Sequence, residues 1–386
     1  MKLLKDDVVE TALIYAHGRG GEPVFGCSLL ERNLKLCARA GIRRFFIACD
    51  DASPAAVRAA LGSFRQRDDI ILLDSSDPET LRRGGLDDFA PCVALDGNLI
   101  FTGDQLGRTI AQFNRGSARV VRLASTGGDF DAGLAIGTPA DLLNPPATLG
   151  AAASLAGLLP FALDGRPDDP AEGERRIGVT LRHETAWKDG FLAHHLDRRI
   201  SWRIALALAR TGISANQVTL ANTALGLAAA AMIALGGYLP PLMGTLMLLV
   251  SVTLDGVDGE LARMKLSQSD FGATLDAVTD SVVNFAMFAG IAAAAARVGG
   301  MFYFRLFGLF LVGCVLSAIA AYWVYRTRGA DSRSLLEKLT SRDFVYAMLP
   351  FAVWGRMDLM MWVATIGSFV FPVFLWAITF RRPRAS

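Results

Sequence analysis

LDGVDGELARMKLSQSDFGATLDAVTD, residues 254–280, is the stretch on which the reading of this chain turns. It joins LPPLMGTLMLLVSVTL (239–254) to GATLDAVTDSVVNFAMFAGIAAAAA (272–296), two runs apolar enough to enter a bilayer. Yet it carries Asp255, Asp258, Asp276 and Asp280. Residues three or four apart share one face of a helix. Asp255 and Asp258 therefore point the same way at the end of one helix, and Asp276 and Asp280 do so at the start of the next. The connection is short, so the two helices are antiparallel neighbours and four carboxylates are expected to converge.

Carboxylates gathered at a bilayer edge repel one another and are costly to desolvate. Arg263 and Lys265 are too few to neutralise them. A divalent cation does so, and an all-oxygen site without Cys or His selects a hard ion such as Mg2+, Mn2+ or Ca2+. Gly259, Ala262 and Gly272 fall on the same faces as the aspartates. Such small residues allow close helix approach, or leave room for a flat ligand. Metal ions facing an open pocket suit phosphoryl transfer, because they bind phosphate oxygens and stabilise an in-line displacement. An ion-coupled transporter is the competing reading. It accounts for the acidic residues but not for glycine, alanine and arginine at fixed offsets from them.

Four further apolar stretches, 217–238, 301–325, 344–355 and 357–380, extend this into an all-α six-helix transmembrane bundle over residues 213–386, with 344–355 the shortest. Lys/Arg asymmetry sets the orientation. With the N-terminal part inside, the cytoplasmic connections hold ten Lys/Arg, and the opposite side holds Arg297, Arg305 and Arg356. The expectation is a multi-pass protein of the cytoplasmic (inner) membrane, with both termini and the active site on the cytoplasmic side. Residues 181–212 are a juxtamembrane segment, in which FLAHHLDRRISWRIALALARTG (191–212) reads as an amphipathic helix at the lipid interface. Adjacent His194 and His195 point about 100° apart on a helix and suit headgroups better than a metal.

Residues 1–180 have a different composition, rich in charges. TALIYA, RRFFIAC, DIILLD and CVALDG read as buried strands, separated by helical stretches such as LLERNLKLCARAG and SPAAVRAALGSF. This alternation predicts an α/β domain with a parallel sheet. AHGRGGEPVFG (16–26) is a glycine-rich turn whose N–H groups suit phosphate, and PFALDGRPDDPAEGERR (160–176) reads as a surface excursion or linker. The start, MKLLKDDVVETALIYA, is not a secretory signal, since acidic residues interrupt its apolar run. The five cysteines lack metal-ligand spacing and read as free thiols. A net charge of +2 predicts nothing about nucleic acid, but the sequence has no arginine-rich strip with interleaved aromatics, and no nucleic-acid partner is expected.

The ordered set Asp255-x-x-Asp258-Gly259-x-x-Ala262-Arg263, eight residues, then Gly272-x-x-x-Asp276-x-x-x-Asp280 resembles the signature of the CDP-alcohol phosphotransferase (CDP-alcohol phosphatidyltransferase) family. Upstream, Ile213-Ser214-Ala215-Asn216-Gln217-Val218-Thr219 is similar to the family's Pro-Asn-x-x-Thr at the start of its first span, with Ala215 in the place of proline. The resemblance implies two Mg2+ (or Mn2+) ions held by Asp255, Asp258, Asp276 and Asp280. It implies a CDP-binding pocket of Gly259, Ala262, Arg263, Gly272, Asn216 and Thr219, with Asp280 as catalytic base. It implies as donor a CDP-alcohol (CDP-diacylglycerol or a CDP-polyol) and as acceptor an alcohol such as inositol phosphate, with CMP leaving and a phosphodiester forming. A homodimer in the lipid bilayer is also implied.

The N-terminal domain resembles Rossmann-like sugar-phosphate nucleotidyltransferases in its order of strand, glycine loop, helix and strand. Gly18 and Arg19 are its loop candidates and Asp96 its metal candidate. GTPADLL (137–143) and LRHETAWKDGFLAHHLDRRIS (181–201) resemble the way this domain joins the membrane half in fused inositol-phosphate cytidylyltransferase/di-inositol-phosphate phosphate synthases. Two readings follow. One is a bifunctional enzyme that also makes its CDP-alcohol from CTP and a polyol phosphate. The other is a degenerate domain with a structural, docking or regulatory role. The second is preferred, because Glu22-Pro23 stands where that family has a lysine and the loop is contracted.

Overall fold

The computed structural model describes residues 9–16, 20–50, 52–115, 120–123, 133–143, 150–152, 161–162, 169–185, 198–328 and 344–381. The chain forms two compact units, essentially residues 1–184 and 185–386.

The first unit is built on a seven-stranded sheet. Its strands are β1 Thr11–Tyr15, β2 Arg44–Ala48, β3 Ile70–Leu73, β4 Cys92–Asp96, β5 Val120–Leu123, β6 Leu134–Gly137 and β7 Gly150–Ala152, ordered β7-β5-β6-β4-β1-β2-β3. The four apolar runs of the sequence are the contiguous block β4-β1-β2-β3, all parallel, with Ala12 in register between Phe45 and Val93. Near-continuous hydrophobicity is what strands covered on both faces require. β6 runs antiparallel to both β4 and β5. The sheet is thus mixed rather than purely parallel, a pairing that the alternation of strand and helix does not encode.

The helices of this unit are α1 Leu29–Arg39, α2 Pro54–Ala60, α3 Pro78–Arg83, α4 Gly103–Arg115, α5 Pro139–Leu143 and α6 Asp169–Thr185. Ser28, Ser53 and Asp77 cap the first three by accepting backbone N–H groups, which satisfies donors that have no partner within the helix. Leu30, Leu34, Phe45, Ile47 and Leu95 lie in the core. Burial pushes the Cys37 and Cys92 thiols up to about 12, so they stay protonated and unreactive. All five cysteines are free.

The expected surface excursion at 160–176 is corrected in part, because residues 169–176 open helix α6. Proline is tolerated in a first helical turn, and Glu172 pairs with Arg175 and Arg176 at helical spacing. Glu174 is buried and accepts the Phe25 N–H at 2.9 Å.

The second unit is helical: α7 Arg198–Ala209, α8 Ala215–Ala234, α9 Leu239–Met264, α10 Asp270–Gly299, α11 Phe302–Arg328, α12 Phe344–Val353 and α13 Met357–Arg381. Five of them, α8 to α11 and α13, are long and apolar enough to cross a membrane. The fifth apolar stretch of the sequence forms α12, which has ten described residues. That is about 15 Å of helix, half the hydrocarbon thickness. His194 and His195 lie outside the described residues, and α7 covers the second part of the juxtamembrane segment.

Large apolar side chains, among them Leu220, Val250, Val278, Ile319, Val370 and Trp376, lie on the outer surface of this unit. Water disfavours that arrangement and lipid favours it. Inside, small residues set the helix spacing. A Cβ on Gly290 of α10 would stand 2.6 Å from the Ala230 carbonyl oxygen of α8, and one on Gly244 of α9 would stand 2.6 Å from that of Ala229. Close backbone approach of this kind drives helix association where no hydrophobic effect operates.

The start of α8 explains how Ala215 replaces a proline. Ser214 accepts the Gln217 N–H at 3.3 Å, and the Gln217 side chain accepts the Ser214 N–H at 2.9 Å. This reciprocal capping box supplies the start signal that a proline would otherwise give.

Candidate active site

The site lies where α8, α9 and α10 meet, next to the turn between α9 and α10. Ser269 caps α10 by accepting the Gly272 N–H at 3.0 Å, so α10 begins with Asp276 and Asp280 within its first three turns. One carboxylate oxygen each from Asp255, Asp276 and Asp280 lies within 4.8 Å of the others, and all three residues are half-buried. Asp258 is engaged differently. It is buried, its Oδ2 accepts from Thr219 Oγ1 at 2.5 Å, and its Oδ1 accepts the Gly259 N–H at 2.6 Å. A three-residue step falls about 60° short of a full turn, which aims Asp258 toward α8 while Asp255 faces the α10 pair.

The donor set fits a hard divalent cation, since it is made of carboxylate oxygens alone. Oδ1 of Asp276 is buried and accepts no hydrogen bond among the described residues. A buried carboxylate oxygen without a donor is costly, and a metal ion satisfies it.

Beside the trio opens a pocket lined by Asn216, Thr219, Gly259, Ala262, Arg263 and Gly272, together with Asp258 and Asp276. All six residues expected to bind CDP therefore share one cavity. The glycines keep it open: a Cβ on Gly272 would stand 3.2 Å from Asn216 Oδ1 and from Ser269 Oγ, and one on Gly259 would stand 3.4 Å from an Arg263 guanidinium nitrogen. Ser267, Gln268 and Ser269 of the turn also line it. Sequence spacing missed them because loop residues carry no periodic signal.

A second cavity shares Thr219 with the first but is lined by Asp255 and Asp280, with Asn222, Ser251 and Asn284 beyond them. These three were also missed. Continuing the three- and four-residue steps from Thr219, Asp255 and Asp280 would have found them.

In the first unit, Gly18 and Arg19 lie outside the described residues. The following segment occupies the start of α1 with its own oxygens. Leu29 N–H donates to Glu22 O at 2.9 Å, Leu30 N–H to Gly20 O at 3.0 Å, and Glu31 N–H to Ser28 Oγ at 3.0 Å. These are the groups through which a helix N-terminus holds phosphate. Asp96 ends β4 and accepts the Asn98 N–H at 2.9 Å. It belongs to no group of three or more potential metal ligands among the described residues.

Part of the chain is similar to known proteins. Residues 212–376 match the family model described as CDP-alcohol phosphatidyltransferase. Over 104 residues the chain is 38% identical to the bifunctional IPC transferase and DIPP synthase of Aquifex aeolicus, covering 27% of this chain and 23% of that protein. The protein of the same name from Thermococcus kodakarensis is 34% identical over 177 residues, 45% of this chain and 38% of the relative. The matches thus span well under half the length of these relatives. Among solved structures, the phosphatidylinositol phosphate synthase of Mycobacterium tuberculosis with CDP-DAG bound aligns at 21% identity with a TM-score of 0.35, over 48% of this chain and 96% of that one. The segment that matches this family model, residues 212–376, is the one that carries the ordered aspartates and the small-residue pocket.

Proposed function

We propose that this protein transfers a substituted phosphate group from a CDP-alcohol to an acceptor hydroxyl in a divalent-metal-dependent reaction, releasing CMP and forming a phosphodiester. The observation that carries the reading is the carboxylate trio within 4.8 Å, opening onto a pocket that joins all six expected nucleotide-binding residues. Two Mg2+ or Mn2+ ions held by Asp255, Asp258, Asp276 and Asp280 would neutralise the pyrophosphate and polarise the phosphorus under attack.

The chain's own groups divide the remaining work. Arg263 binds a phosphate oxygen. Asn216 and Thr219 hydrogen-bond the nucleotide, and Gly259, Ala262 and Gly272 leave space for a flat cytidine. Asp280 takes the proton of the acceptor hydroxyl. The acceptor oxygen bonds to the phosphorus that carries the donor alcohol, and the bond from that phosphorus to the bridging oxygen of CMP breaks, so CMP departs with the electron pair.

The donor is CDP-diacylglycerol or a CDP-polyol and the acceptor a polyol such as inositol phosphate. The names of the relatives support this, one more being a phosphatidylinositol phosphate synthase of Mycobacteroides abscessus, 33% identical over 102 residues. The protein works as a homodimer of six-span bundles, α12 completing the count, in the cytoplasmic membrane with the site facing the cytoplasm. The Lys/Arg asymmetry supports that orientation. The N-terminal domain is a degenerate nucleotidyltransferase-like module with a structural or docking role. What favours this is the internal bonding of the α1 N–H groups and the Glu174 carboxylate on the Phe25 N–H.

The decisive experiment is CMP release by the purified full-length protein from CDP-alcohols, with and without Mg2+. Turnover that needs both the metal and an acceptor is expected. Metal-driven ion flux in vesicles without CMP release would instead establish the transporter reading.

A further inference from the structure

Helix α9 meets α7 on a side turned away from its aspartates. At about 100° per residue, Asp255, Asp258, Gly259 and Ala262 lie on an arc of about 100°, and Gly256 and Glu260 lie about 130° from its middle. Ser201 of α7 sits on this second face. It is 2% exposed, and its Oγ donates to Glu260 Oε1 at 3.3 Å. Gly256, one turn earlier, has no side chain to hold α7 off: a Cβ there would stand 3.5 Å from Ser201 Cβ and Oγ. Ala205 and Ala209 follow Ser201 at four-residue steps and are buried as well, so α7 turns a face of small side chains inward.

Glu260 is 8% exposed, lines neither cavity of the site and stands outside the carboxylate trio. Burying a carboxylate at the end of an apolar span is costly unless its bonds compensate, and its bond to Ser201 points away from the site. The level of α7 is itself fixed. It ends at Ala209, and α8, long and apolar enough to cross a membrane, begins at Ala215 after five residues. Arg203 is exposed on α7, with Trp202 and Leu206 half-buried beside it, a set that suits the headgroup boundary. The end of α9 that carries the aspartates is therefore braced from behind. A helix with its side chains has a radius of about 5–6 Å, so rotating α9 by about 20° would carry its carboxylates about 2 Å. A misplacement of about 1 Å is enough to cost about a hundredfold in rate.

We propose that Glu260 is a positioning residue: through Ser201 it fixes the rotation of α9 against α7, and so holds Asp255 and Asp258 in register with Asp276 and Asp280 of α10. The inference rests on the metal-dependent reading above. It adds to that reading a residue that acts on the metal ligands from the opposite side of their helix.

The test is Mn2+ binding by electron paramagnetic resonance and steady-state CMP release from a CDP-alcohol, both on the purified full-length protein, with melting followed in the same detergent. Glu260→Ala is expected to weaken Mn2+ binding and to lower kcat about tenfold or more. Ser201→Ala should shift both in the same direction by at least about threefold. Glu260→Gln keeps an acceptor for Ser201 Oγ and should stay within about threefold of wild type. The double variant Ser201→Ala, Glu260→Ala should be no worse than Glu260→Ala alone, because both changes remove one contact. A lower melting temperature with Mn2+ affinity and kcat of the folded protein unchanged marks a merely structural brace and overturns the assignment. Additive losses in the double variant, or a glutamine variant as impaired as the alanine one, overturn it too. If Glu260→Ala does not fold, Ser201→Ala decides, and unchanged Mn2+ affinity there overturns the proposal. All these outcomes leave the phosphotransferase reading intact, whereas a wild-type protein that neither binds Mn2+ nor releases CMP sinks both.

Discussion

Thr219 on α8 donates its hydroxyl to Asp258 Oδ2 on α9 at 2.5 Å, and the same threonine lines both cavities of the site. The contact ties the nucleotide side of the pocket to the carboxylate that stands apart from the trio. Replacing Thr219 by Val leaves a buried carboxylate oxygen without its donor, a loss of about 1–3 kcal/mol. Thr219→Val should therefore raise the KM for the CDP-alcohol roughly 5- to 160-fold, and Thr219→Ser should restore it to within about threefold of wild type. Steady-state kinetics with donor and acceptor varied separately checks this.

Asp276 and Asp280 share a face of α10 but are assigned different tasks. Asp276→Asn should abolish both Mn2+ binding, read by electron paramagnetic resonance, and turnover. Asp280→Asn removes the proton acceptor and should lower kcat by about 10²- to 10⁴-fold, with a smaller change in Mn2+ affinity. Equal loss of metal from both variants would reduce Asp280 to a ligand alone.

Chelation has a structural as well as a catalytic consequence. Carboxylate oxygens of Asp255, Asp276 and Asp280 lie within 4.8 Å of one another, and metal or protons relieve the repulsion among them. EDTA should stop CMP release and lower the melting temperature in detergent, with Mg2+ or Mn2+ reversing both. Binding at a hundredfold excess over Kd corresponds to about 2.7 kcal/mol of stabilisation. Equal melting curves with and without metal would count against the site.

Packing of α8 against α10 predicts an asymmetry between glycines. A Cβ on Gly290 meets the Ala230 carbonyl at 2.6 Å, whereas one on Gly308 meets nothing within 4 Å. Gly290→Ala should cost about 1–3 kcal/mol, seen as earlier thermal unfolding in detergent, and Gly308→Ala should be silent.

For the N-terminal domain the expected result is an absence of chemistry. CTP with a polyol phosphate should not be converted to a CDP-polyol, and Asp96→Ala should leave CMP release unchanged. Pyrophosphate production from CTP that Asp96→Ala abolishes would reinstate the bifunctional reading.

Helical periodicity was enough to bring Asp255 toward Asp276 and Asp280, because two antiparallel helices joined by a short turn must face each other. Asn216 and Thr219 were expected beside Gly259, Ala262 and Gly272 from the family resemblance rather than from periodicity, and one pocket does hold all five. Periodicity did not separate Asp258 from the trio, since spacing defines a face only to within tens of degrees and a hydrogen bond from another helix chose among them. The antiparallel β6 and the helical start of α6 were likewise hidden, because strand direction and the fate of a Pro-Asp-Glu stretch depend on what packs against them.

What the amino-acid order determined by itself is local and periodic: which segments are apolar enough for lipid, which side chains share a helix face, and where a cap starts α8. What only the tertiary structure decided is convergence across helices: Thr219 on Asp258, Asn222 on Ser251, and two cavities meeting at one threonine. The physical reason is that helix geometry propagates through backbone bonds along the chain, whereas the rotation and closeness of neighbouring helices are settled by small residues such as Gly244 and Gly290, whose partners are far away in sequence.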